Sequence, residues 1–397
     1  MALLPVEDAL ERILAAAQPM SGEDVPLLQA AARVLASDVI AQLTQPPFDA
    51  SAMDGYAVRP ADVATLPATL KLIGESAAGH AFSGTIGKGE TVRIFTGAPV
   101  PAGAGAIVIQ ENVKADGEHI TVVEGSPDPE HIRPKGRDFR KGEAALTRGM
   151  RLTSRDILLA AAMGHATVPC ARRPKVAILA TGDELVMPGD KPRPDQIISS
   201  NPYGLATMLA AFGAEPVLLG IARDTLADLD EKIATAADAD ILLTIGGASV
   251  GDHDLVIPAL KARGVELDFW KIAMRPGKPM IFGHRDSQLV LGLPGNPVSS
   301  MICTRVFAVP LIARMLGHTD ASAHSGTAPV AHALSANGPR THYMRARIGG
   351  DGRVTPIENQ DSSLIAPLAR ADCLIVRPAG SPALAEGTQV QVLPLDF

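Results

Sequence analysis

Hydrophobic positions near the N-terminus recur with the period of an α-helix. One face of this helix would carry Val6, Leu10, Ile13, Leu14 and Ala17. A second helix is predicted after Pro26, and a third from Thr153 onward, where a hydroxyl can cap the first turn. We expect the helices to pack together as one discontinuous domain, built from residues 1–41 and 143–173.

Residues 42–142, between these helical segments, carry short strand-like runs interrupted by glycine and proline. The runs cover residues 70–74, 91–95, 106–110 and 119–123. Short runs separated by turn signals are typical of a small β-rich domain. Residues 324–397 repeat this pattern, with runs at 344–348, 373–376 and 390–393, and predict a C-terminal β barrel.

Strands and helices alternate through residues 174–323. The strand-like runs cover residues 176–180, 216–221, 241–245, 267–273 and 289–293. The helical patterns cover residues 201–213, 226–237 and 255–263, and a long helix begins at Pro297. This alternation predicts βαβ units and therefore a doubly wound α/β domain around a parallel sheet.

Composition narrows the classes of protein that the chain can be. Apolar residues make up 46% of the sequence and the net charge is −7, with no dense stripe of Lys and Arg, so we expect no nucleic-acid partner. Cys170, Cys303 and Cys373 lack the spacing of a metal or redox motif. The N-terminus is acidic where a signal peptide needs positive charge, and no apolar window looks long enough to span a membrane. We therefore expect a cytoplasmic protein.

Polar and glycine-rich residues follow each of the five predicted strands of the α/β domain. In strand order they are Thr181 to Glu184, Arg223 with Asp224, Gly246 to Asp254, Arg275 to Pro279 with Lys271 inside the run, and Pro294 to Pro297. In an open parallel sheet, ligands bind beyond the carboxyl ends of the strands. All five segments should therefore lie along one edge and form a binding site.

Two features of these segments suit a metal–phosphate site. The Gly246–Gly251 turn, with Gly247 and Ser249, can present backbone amides and a hydroxyl to phosphate oxygens, although a turn without a ligand is an open alternative. Glu184, Asp224 and the acids of residues 252–254 offer oxygen ligands, which favours Mg²⁺. For any single acid, a helix cap or a solvated turn is the alternative.

Basic residues follow the fourth strand. Lys271, Arg275 and Lys278 could neutralise an oxyanion or a developing phosphoryl charge, with Pro276 and Pro279 stiffening the backbone between them. An ordinary basic surface loop is the alternative. Together, the strand ends predict a metal-assisted α/β enzyme that handles phosphate and acts on an anionic substrate.

Six motifs in order then resemble the MoeA family, which is similar also to the E domain of gephyrin. They are PFDASAMDGYA at 47–57, IFTGAP at 94–99, ATGDEL at 180–185, GGASVGDHD at 246–254, PGKP at 276–279 and LPGNP at 293–297. The resemblance implies a homodimer of four-domain subunits, with the discontinuous domain helping to dimerise and the α/β domain adopting the MogA fold. It also implies molybdenum transfer: molybdate and adenylylated molybdopterin give molybdenum cofactor and AMP, in a step that depends on a divalent metal.

The resemblance also implies a role for individual residues. Glu184, Asp224 and Asp254 would serve the metal. Asp54 of the partner subunit, Lys271 and Lys278 would complete the catalytic set. Residues expected to bind substrate are Thr96, Thr181, Gly182, Asp183, Gly246, Gly247, Ser249, Gly251, Arg275, Pro294, Ser299, Ser300, Arg345, Ser362 and Ser363.

The chain departs from the family pattern at two positions. Arg275 stands where many relatives have Lys, which replaces a point charge by a planar fork, and Ile245 stands where a Ser often precedes the two glycines. Three rival interpretations share part of the pattern: a MogA-type adenylyltransferase, a CinA-type hydrolase and a gephyrin-like scaffold. The adenylyltransferase and the hydrolase need only the α/β domain. For a MoeA-type protein, we also expect transient contact with a MogA-type enzyme and with molybdenum enzymes.

Overall fold

The structure is a computed structural model that describes residues 3–125, 127–247, 255–319 and 325–395. Within these ranges the backbone forms three six-stranded sheets, one each in the β-rich, central and C-terminal segments, and several two-stranded pairs. Helices cover both faces of the central sheet. The central segment is therefore the α/β domain that the sequence predicts.

The central sheet is mixed, with a parallel part of four strands. In spatial order its strands are Glu215–Ala222, Lys175–Thr181, Ile241–Ile245, Gln288–Leu293, Pro279–Arg285 and Glu266–Lys271. Pro279–Arg285, which the sequence analysis did not predict, runs antiparallel to both of its neighbours. Glu266–Lys271 consequently runs in the same direction as the four parallel strands. The five predicted strands do end at one edge, as expected, although the sheet is not wholly parallel.

Two hydrophobic clusters, one on each face of this sheet, confirm the doubly wound arrangement. The helices are Asn201–Ala211, Leu226–Ala234, Val256–Ala262, Pro297–Cys303 and Val309–Met315. Along the strand Lys175–Thr181, Val176 and Ile178 belong to one cluster, whereas Ala177 and Leu179 belong to the other. This alternation follows from the two-residue period of a strand buried on both sides.

The predicted long helix from Pro297 is confirmed, with a π-helical stretch at Thr304–Ala308 in its middle. Among the described residues, Pro297–Met315 is long and apolar enough to cross a membrane, contrary to the expectation that no such window exists. However, 78% of this window is buried inside the protein, as in a core helix.

The N-terminal region differs from the predicted three-helix packing. The first helix, Val6–Ala15, places Val6, Ala9 and Ile13 in the same cluster as the central sheet. The predicted second helix is only a 3₁₀ turn, Leu27–Gln29, because Val34 and Leu35 form bridges with Arg151 and Cys170 instead. The prediction that the three helices pack together is therefore wrong.

Two distant segments nevertheless interleave in this region. Gly22–Pro26 pairs with Thr167–Ala171, and Val39–Ile40 pairs with Ala144–Leu146. The helix Ser154–Ala162 follows them, capped by reciprocal hydrogen bonds between Thr153 and Asp156.

All four predicted runs of the β-rich region are strands of one sheet. In spatial order the strands are Ala106–Ile109, Gly55–Val58, Glu90–Ile94, Ala68–Ser76, His119–Val122 and Val113–Asp116. A separate pair, Ala50–Ser51 with Ile132–Arg133, holds the loop before the sheet. Gly55 lies so close to the neighbouring strand that an added Cβ would overlap the Val108 carbonyl. Glycine is thus required here by close backbone approach.

The C-terminal sheet curls back on itself, as expected of a barrel-like domain. Its strands are Met274–Arg275, Thr341–Ile348, Cys373–Arg377, Gln389–Pro394 and Gly326–Pro329, with Val354–Pro356 paired to the second of them. A bridge joins Val330, next to the last of these strands, to Val354, in the strand that pairs with Thr341–Ile348. Met274–Arg275 comes from the chain that has just left the central sheet, so this short strand joins the two domains.

We predict that Gly55→Ala destabilises the protein by about 1–3 kcal/mol, because the new methyl group overpacks against the Val108 carbonyl. Urea denaturation of both proteins measures the difference. Gly338→Ala is the matched control, since a Cβ at Gly338 meets nothing within 4 Å, and it should change stability by less than about 0.5 kcal/mol. Equal midpoints for wild type and Gly55→Ala would contradict the close approach.

Candidate functional site

A cleft of about 740 Å³, here called the main cleft, opens at the carboxyl edge of the central sheet. The residues that both line it and were predicted from sequence are Thr181, Gly182, Glu184, Asp224, Gly246, Gly247, Pro294 and Ser363. Ser363 and Ile365, at the start of the short helix Ile365–Ala369, bring in the C-terminal domain. The strand ends therefore do converge on one site, as the topology rule requires.

The glycine turn after Ile241–Ile245 is shaped by close contact with the neighbouring strand end. Gly246 has a φ of 94°, and a Cβ on it would lie 2.8 Å from both Thr181 O and Thr181 Oγ1. Its own N–H donates to Leu293 O at 3.0 Å, so this amide is not free for an anion. A phosphate cradle here would use amides from Gly247 onward. Ser249 and Gly251 lie outside the described residues.

Asp183 and Asp224 tie two strand ends together. Asp183 N–H donates to Asp224 Oδ2 at 3.4 Å, and Asp224 N–H donates to Asp183 Oδ1 at 3.2 Å. Glu184 is exposed on the same turn and lines the main cleft beside Asp224. The two turns thus form a ridge of carboxylates, here called the acidic ridge: Asp183, Glu184 and Asp224.

The acidic ridge offers oxygen ligands of the kind that Mg²⁺ prefers. Within the described ranges, no group of three or more His, Cys, Asp or Glu side chains could hold a metal ion by itself. The third predicted ligand, Asp254, lies outside those ranges. Mg²⁺ often binds through one or two carboxylates and takes its remaining ligands from water and substrate phosphates, and Glu184 with Asp224 fits that mode.

The basic residues after the fourth strand lie between the central and C-terminal sheets. Lys271 is half-buried, whereas Arg275 and Lys278 are exposed, and Pro279 from the same segment lines the main cleft. The loop packs on the helix Pro297–Cys303, where Cys303 Sγ lies 3.9 Å from Gly277 O. Lys271, Arg275 and Lys278 themselves are not among the described lining residues.

The strand beside this loop is rich in positive charge. Burial, and then the charges of Arg275, Arg340, Arg377 and Arg345, lower the pKa of His342 to about 4. His342 is therefore neutral at physiological pH, and its arginine neighbours provide a positive field at the junction of the two domains.

The structure gives Arg345 a different place from the one predicted. Its side chain is 1% exposed, and its guanidinium donates to the carbonyls of Asn359, Asp361 and Leu364 at 2.9–3.0 Å. Burial lowers the pKa of this guanidinium. Arg345 therefore does not contact the oxyanion directly: its donors are used to hold the loop that carries Ser362 and Ser363.

That loop is also fixed from its other side. Asn296 Nδ2 donates to Ser362 Oγ at 3.1 Å, and Val298 N–H donates to Ser362 O at 3.1 Å. Ser363 donates to Asp361 Oδ1 from its amide and its hydroxyl, which lowers the pKa of Asp361. The loop is consequently a fixed wall of the main cleft.

Ser299 and Ser300 are buried in the helix that follows, and neither is among the described lining residues. Ser300 Oγ donates to the carbonyls of Asn296 and Pro297 within its own helix. The structure therefore places neither serine on the wall of the main cleft, and Ser300 uses its hydroxyl within its own helix.

Several lining residues were not predicted as site residues. They include Ile197, Ile198, Ser199, Ser200 and Asn201. Asn201 begins a helix and donates through Nδ2 to Gly295 O at 2.7 Å, which binds two strand ends together. The helix start at Asn201-Pro202 was visible in the sequence, but no local signal placed it beside Gly295, at the end of the strand Gln288–Leu293.

Asp54 and Thr96 lie in the β-rich domain and are not among the described residues that line the main cleft of their own chain. Asp54 Oδ1 accepts hydrogen bonds from Thr96 N–H at 2.7 Å and from Thr96 Oγ1 at 2.8 Å, and these lower the pKa of Asp54. A separate hollow of about 540 Å³ beside Gly97 is lined by Arg133, Arg137 and Asp138, none of which the sequence analysis singled out.

Comparison with known proteins gives a consistent family for the whole chain. Three family models match it in order: the MoeA N-terminal region (domain I and II) at residues 4–164, a probable molybdopterin binding domain at 177–314, and the MoeA C-terminal region (domain IV) at 327–395. Two crystal structures of the molybdopterin biosynthesis MoeA protein from Pyrococcus horikoshii superpose with TM-scores of 0.88 and 0.85. Their identities are 31% and 27%, and they cover 99–100% of each chain.

Curated relatives agree with this. The molybdopterin molybdenumtransferase of Haemophilus influenzae is 34% identical over 386 residues, which is 95% of each chain. That of Nostoc sp. is 35% identical and covers 94% of this chain and 88% of the relative. The match includes both β domains, which the rival MogA-type and CinA-type interpretations do not need. The chain therefore belongs to the MoeA family.

Proposed function

We propose that this chain is a molybdopterin molybdenumtransferase. It would take molybdate and adenylylated molybdopterin, break the pyrophosphate link, and release AMP with molybdenum cofactor. The observation that carries the proposal is the convergence of three features on one edge of the sheet. They are the acidic ridge, the Gly246–Gly247 turn and the loop that carries Arg275 and Lys278, here called the basic loop, which reaches the main cleft through Pro279. The relatives are named molybdopterin molybdenumtransferase, and these names support the transfer of molybdenum as the reaction.

The acidic ridge would hold the pyrophosphate through a hydrated divalent cation. When bound, Mg²⁺ would neutralise phosphate charge and favour departure of AMP. Glu184 and Asp224 are fixed for this task because the Asp183–Asp224 hydrogen bonds align their turns. The Gly247 amide and the residues after it would contact phosphate oxygens.

Molybdate would bind next to the basic loop. It is a compact tetrahedral dianion, and Lys271, Arg275 and Lys278 carry positive charge on the segment that ends at Pro279, which lines the main cleft. Arg345 would act as a positioning residue, since it holds the Ser362–Ser363 loop against the cleft rather than contacting the anion. A site that closes only with both substrates present limits wasteful hydrolysis.

The proposal includes a homodimer whose clefts are shared. Asp54 and Thr96 form a rigid hydrogen-bonded pair on the β-rich domain, and we infer that they complete the main cleft of the partner subunit. We also infer a cytoplasmic location. The three cysteines are buried and unpaired, which suits a reducing compartment.

Glu184→Gln should leave the fold intact, because Glu184 is exposed. It should lower magnesium-dependent AMP release by about ten- to a thousandfold, since a charged contact at the reacting phosphates is lost. The rate is measured across a magnesium titration. Glu231→Gln, on the exposed face of the helix Leu226–Ala234, is the control and should behave as wild type. A Glu184→Gln curve that overlays wild type would remove this residue from the site.

Mixed dimers test the shared cleft. Asp54→Ala and Glu184→Ala proteins should each be inactive alone, and mixing them should restore part of the activity, because one cleft of each heterodimer then has every group. Subunit exchange is verified by native mass spectrometry before AMP release is measured. Exchange without recovery would place Asp54 in a different role.

Lys278→Ala should raise the molybdate concentration that gives half-maximal AMP release by about tenfold or more, as expected when one charge contact of about 1.5–3 kcal/mol is lost. Wild type should show saturable stimulation by molybdate, and sulfate should compete without yielding cofactor. Lys261→Ala, an exposed lysine on a helix of the same domain, is the matched control. AMP release that ignores molybdate, or an unshifted Lys278→Ala curve, would show that molybdate binds elsewhere.

A further inference from the structure

Asp54 is held by hydrogen bonds that use only one oxygen of its carboxylate. Thr96 donates to Asp54 Oδ1 from its amide at 2.7 Å and from its hydroxyl at 2.8 Å. The Gln110 N–H donates to the backbone carbonyl of Asp54 at 3.2 Å. Among the described residues, none donates a hydrogen bond to Asp54 Oδ2, and Asp54 is exposed. One carboxylate oxygen is therefore fixed in direction and available to another molecule.

Arg93, on the strand Glu90–Ile94, braces the backbone around Asp54. Its Nη2 donates to Gln110 Oε1 at 2.6 Å, and its Nη1 donates to Gly55 O at 3.4 Å. Gln110 is the residue whose N–H holds the Asp54 carbonyl, and Gly55 directly follows Asp54 in the chain. The two arms of the guanidinium therefore hold Asp54 from two sides, an arrangement here called the Asp54 clamp.

Two aromatic rings fix the plane of this guanidinium. Arg93 Cζ lies 4.9 Å from the centroid of the Tyr56 ring and 5.1 Å from that of the Phe95 ring. Tyr56 is buried and lies directly opposite Arg93 in the antiparallel pair of strands. Because a guanidinium is planar and is attracted to ring faces, the two rings keep its fork in one orientation. Arg93 thus connects the buried part of the β-rich domain with the exposed Asp54.

The positive charge of Arg93 also acts on Asp54. The ion pairs of the described residues do not include Arg93, and its hydrogen-bond acceptors are a carbonyl oxygen and an amide oxygen. The two Thr96 hydrogen bonds lower the pKa of Asp54, and the charge of Arg93 lowers it further. Asp54 is therefore a carboxylate at physiological pH.

We propose that Arg93 is a positioning residue for Asp54: its fork fixes the loop at residues 51–56 so that Asp54 Oδ2 faces the cleft of the partner subunit. Arg93 itself touches no substrate. The assignment rests on the proposed function, in which Asp54 completes that cleft. It makes the planar shape of the guanidinium, as well as its charge, a requirement of the reaction.

Steady-state AMP release by the full-length protein tests the assignment. Arg93→Met keeps a long side chain beside the rings and loses both arms of the fork. It should lower kcat by about ten- to a hundredfold, because a displaced group at the reaction costs this much. KM for adenylylated molybdopterin should stay within about twofold, since Arg93 does not bind the substrate.

Arg93→Lys keeps the charge without the planar fork. Its kcat should lie within about threefold of that of Arg93→Met, because an ammonium cannot reproduce two fixed arms. A wild-type kcat in Arg93→Lys, or a rise of KM alone in Arg93→Met, overturns the proposal.

Two further variants guard against a general loss of folding. Gln110→Met removes an exposed acceptor of the fork and should lower kcat by about three- to tenfold with an unchanged urea midpoint. Arg59→Met is the matched control and should keep the wild-type kcat, because Arg59 is a half-buried arginine of the same domain that pairs with Asp62 instead. A wild-type kcat in Gln110→Met, or equal losses in Arg59→Met and Arg93→Met, counts against the Asp54 clamp.

Mixed dimers show in which cleft Arg93 acts. Arg93→Met mixed with Glu184→Ala should recover activity, because one cleft then combines an intact Glu184 with an intact Asp54 loop. Arg93→Met mixed with Asp54→Ala should show no recovery, since each cleft then meets a defective loop. The opposite pattern would place Arg93 at the cleft of its own subunit and overturn the assignment.

Hydrogen–deuterium exchange separates this assignment from the proposed function, because it needs no turnover. In Arg93→Met, the amides of Thr96 and Gln110 should exchange about tenfold faster than in wild type, while the other strands of the β-rich domain stay unchanged. Faster exchange, in a protein whose wild type never converts adenylylated molybdopterin, supports the Asp54 clamp and rejects the proposed function. Unchanged exchange at both amides, in a protein whose wild type is active, rejects the Asp54 clamp alone.

Discussion

The site depends on one crossing of the backbone between two sheets. The chain leaves the central sheet at Lys271 and joins the C-terminal sheet at Met274, where it pairs with Thr341, and Thr341 N–H donates to Ala273 O at 2.8 Å. Because both ends of this short segment are held in a sheet, the basic loop after it cannot move away from the strand ends. The positive charge of the basic loop and the acidic ridge are thereby kept at the same edge of the central sheet.

The C-terminal domain mainly holds one wall of the main cleft in place, and supplies few groups that would react with the substrate. Its buried Arg345 is surrounded by carbonyl oxygens of the Asn359–Leu364 stretch, which satisfy the guanidinium that burial would otherwise penalise. The result is a rigid Ser362–Ser363 loop, fastened also to Asn296 at the end of a central strand. Loss of such a residue would disturb the cleft without removing any group that touches substrate.

The acidic ridge has a related double role. Its hydrogen bonds fix two strand-end turns against each other, and two of its carboxylates, Glu184 and Asp224, line the main cleft. Asp224 would then be structural and functional at once, which is the reason to probe the ridge through Glu184 instead.

Sequence alone determined five of the six strands of the central sheet, the edge on which they end, and the motifs that identify the family. These features are local: a buried strand is a short apolar run, and parallel strands must open on one side. Gly246 is an intermediate case: its positive φ is a local requirement, whereas its close approach to Thr181 depends on the neighbouring strand.

Tertiary structure decided what depends on distant partners. Pro279–Arg285 became an antiparallel strand because a hairpin and Glu266–Lys271 flank it, and residues after Pro26 became bridges because Arg151 and Cys170 lie opposite. Arg345 and Ser300 read as oxyanion ligands in the sequence, yet their donors are used inside the protein. Residue type reveals which bonds a side chain can make, and only the packing of remote segments determines which partner it finds.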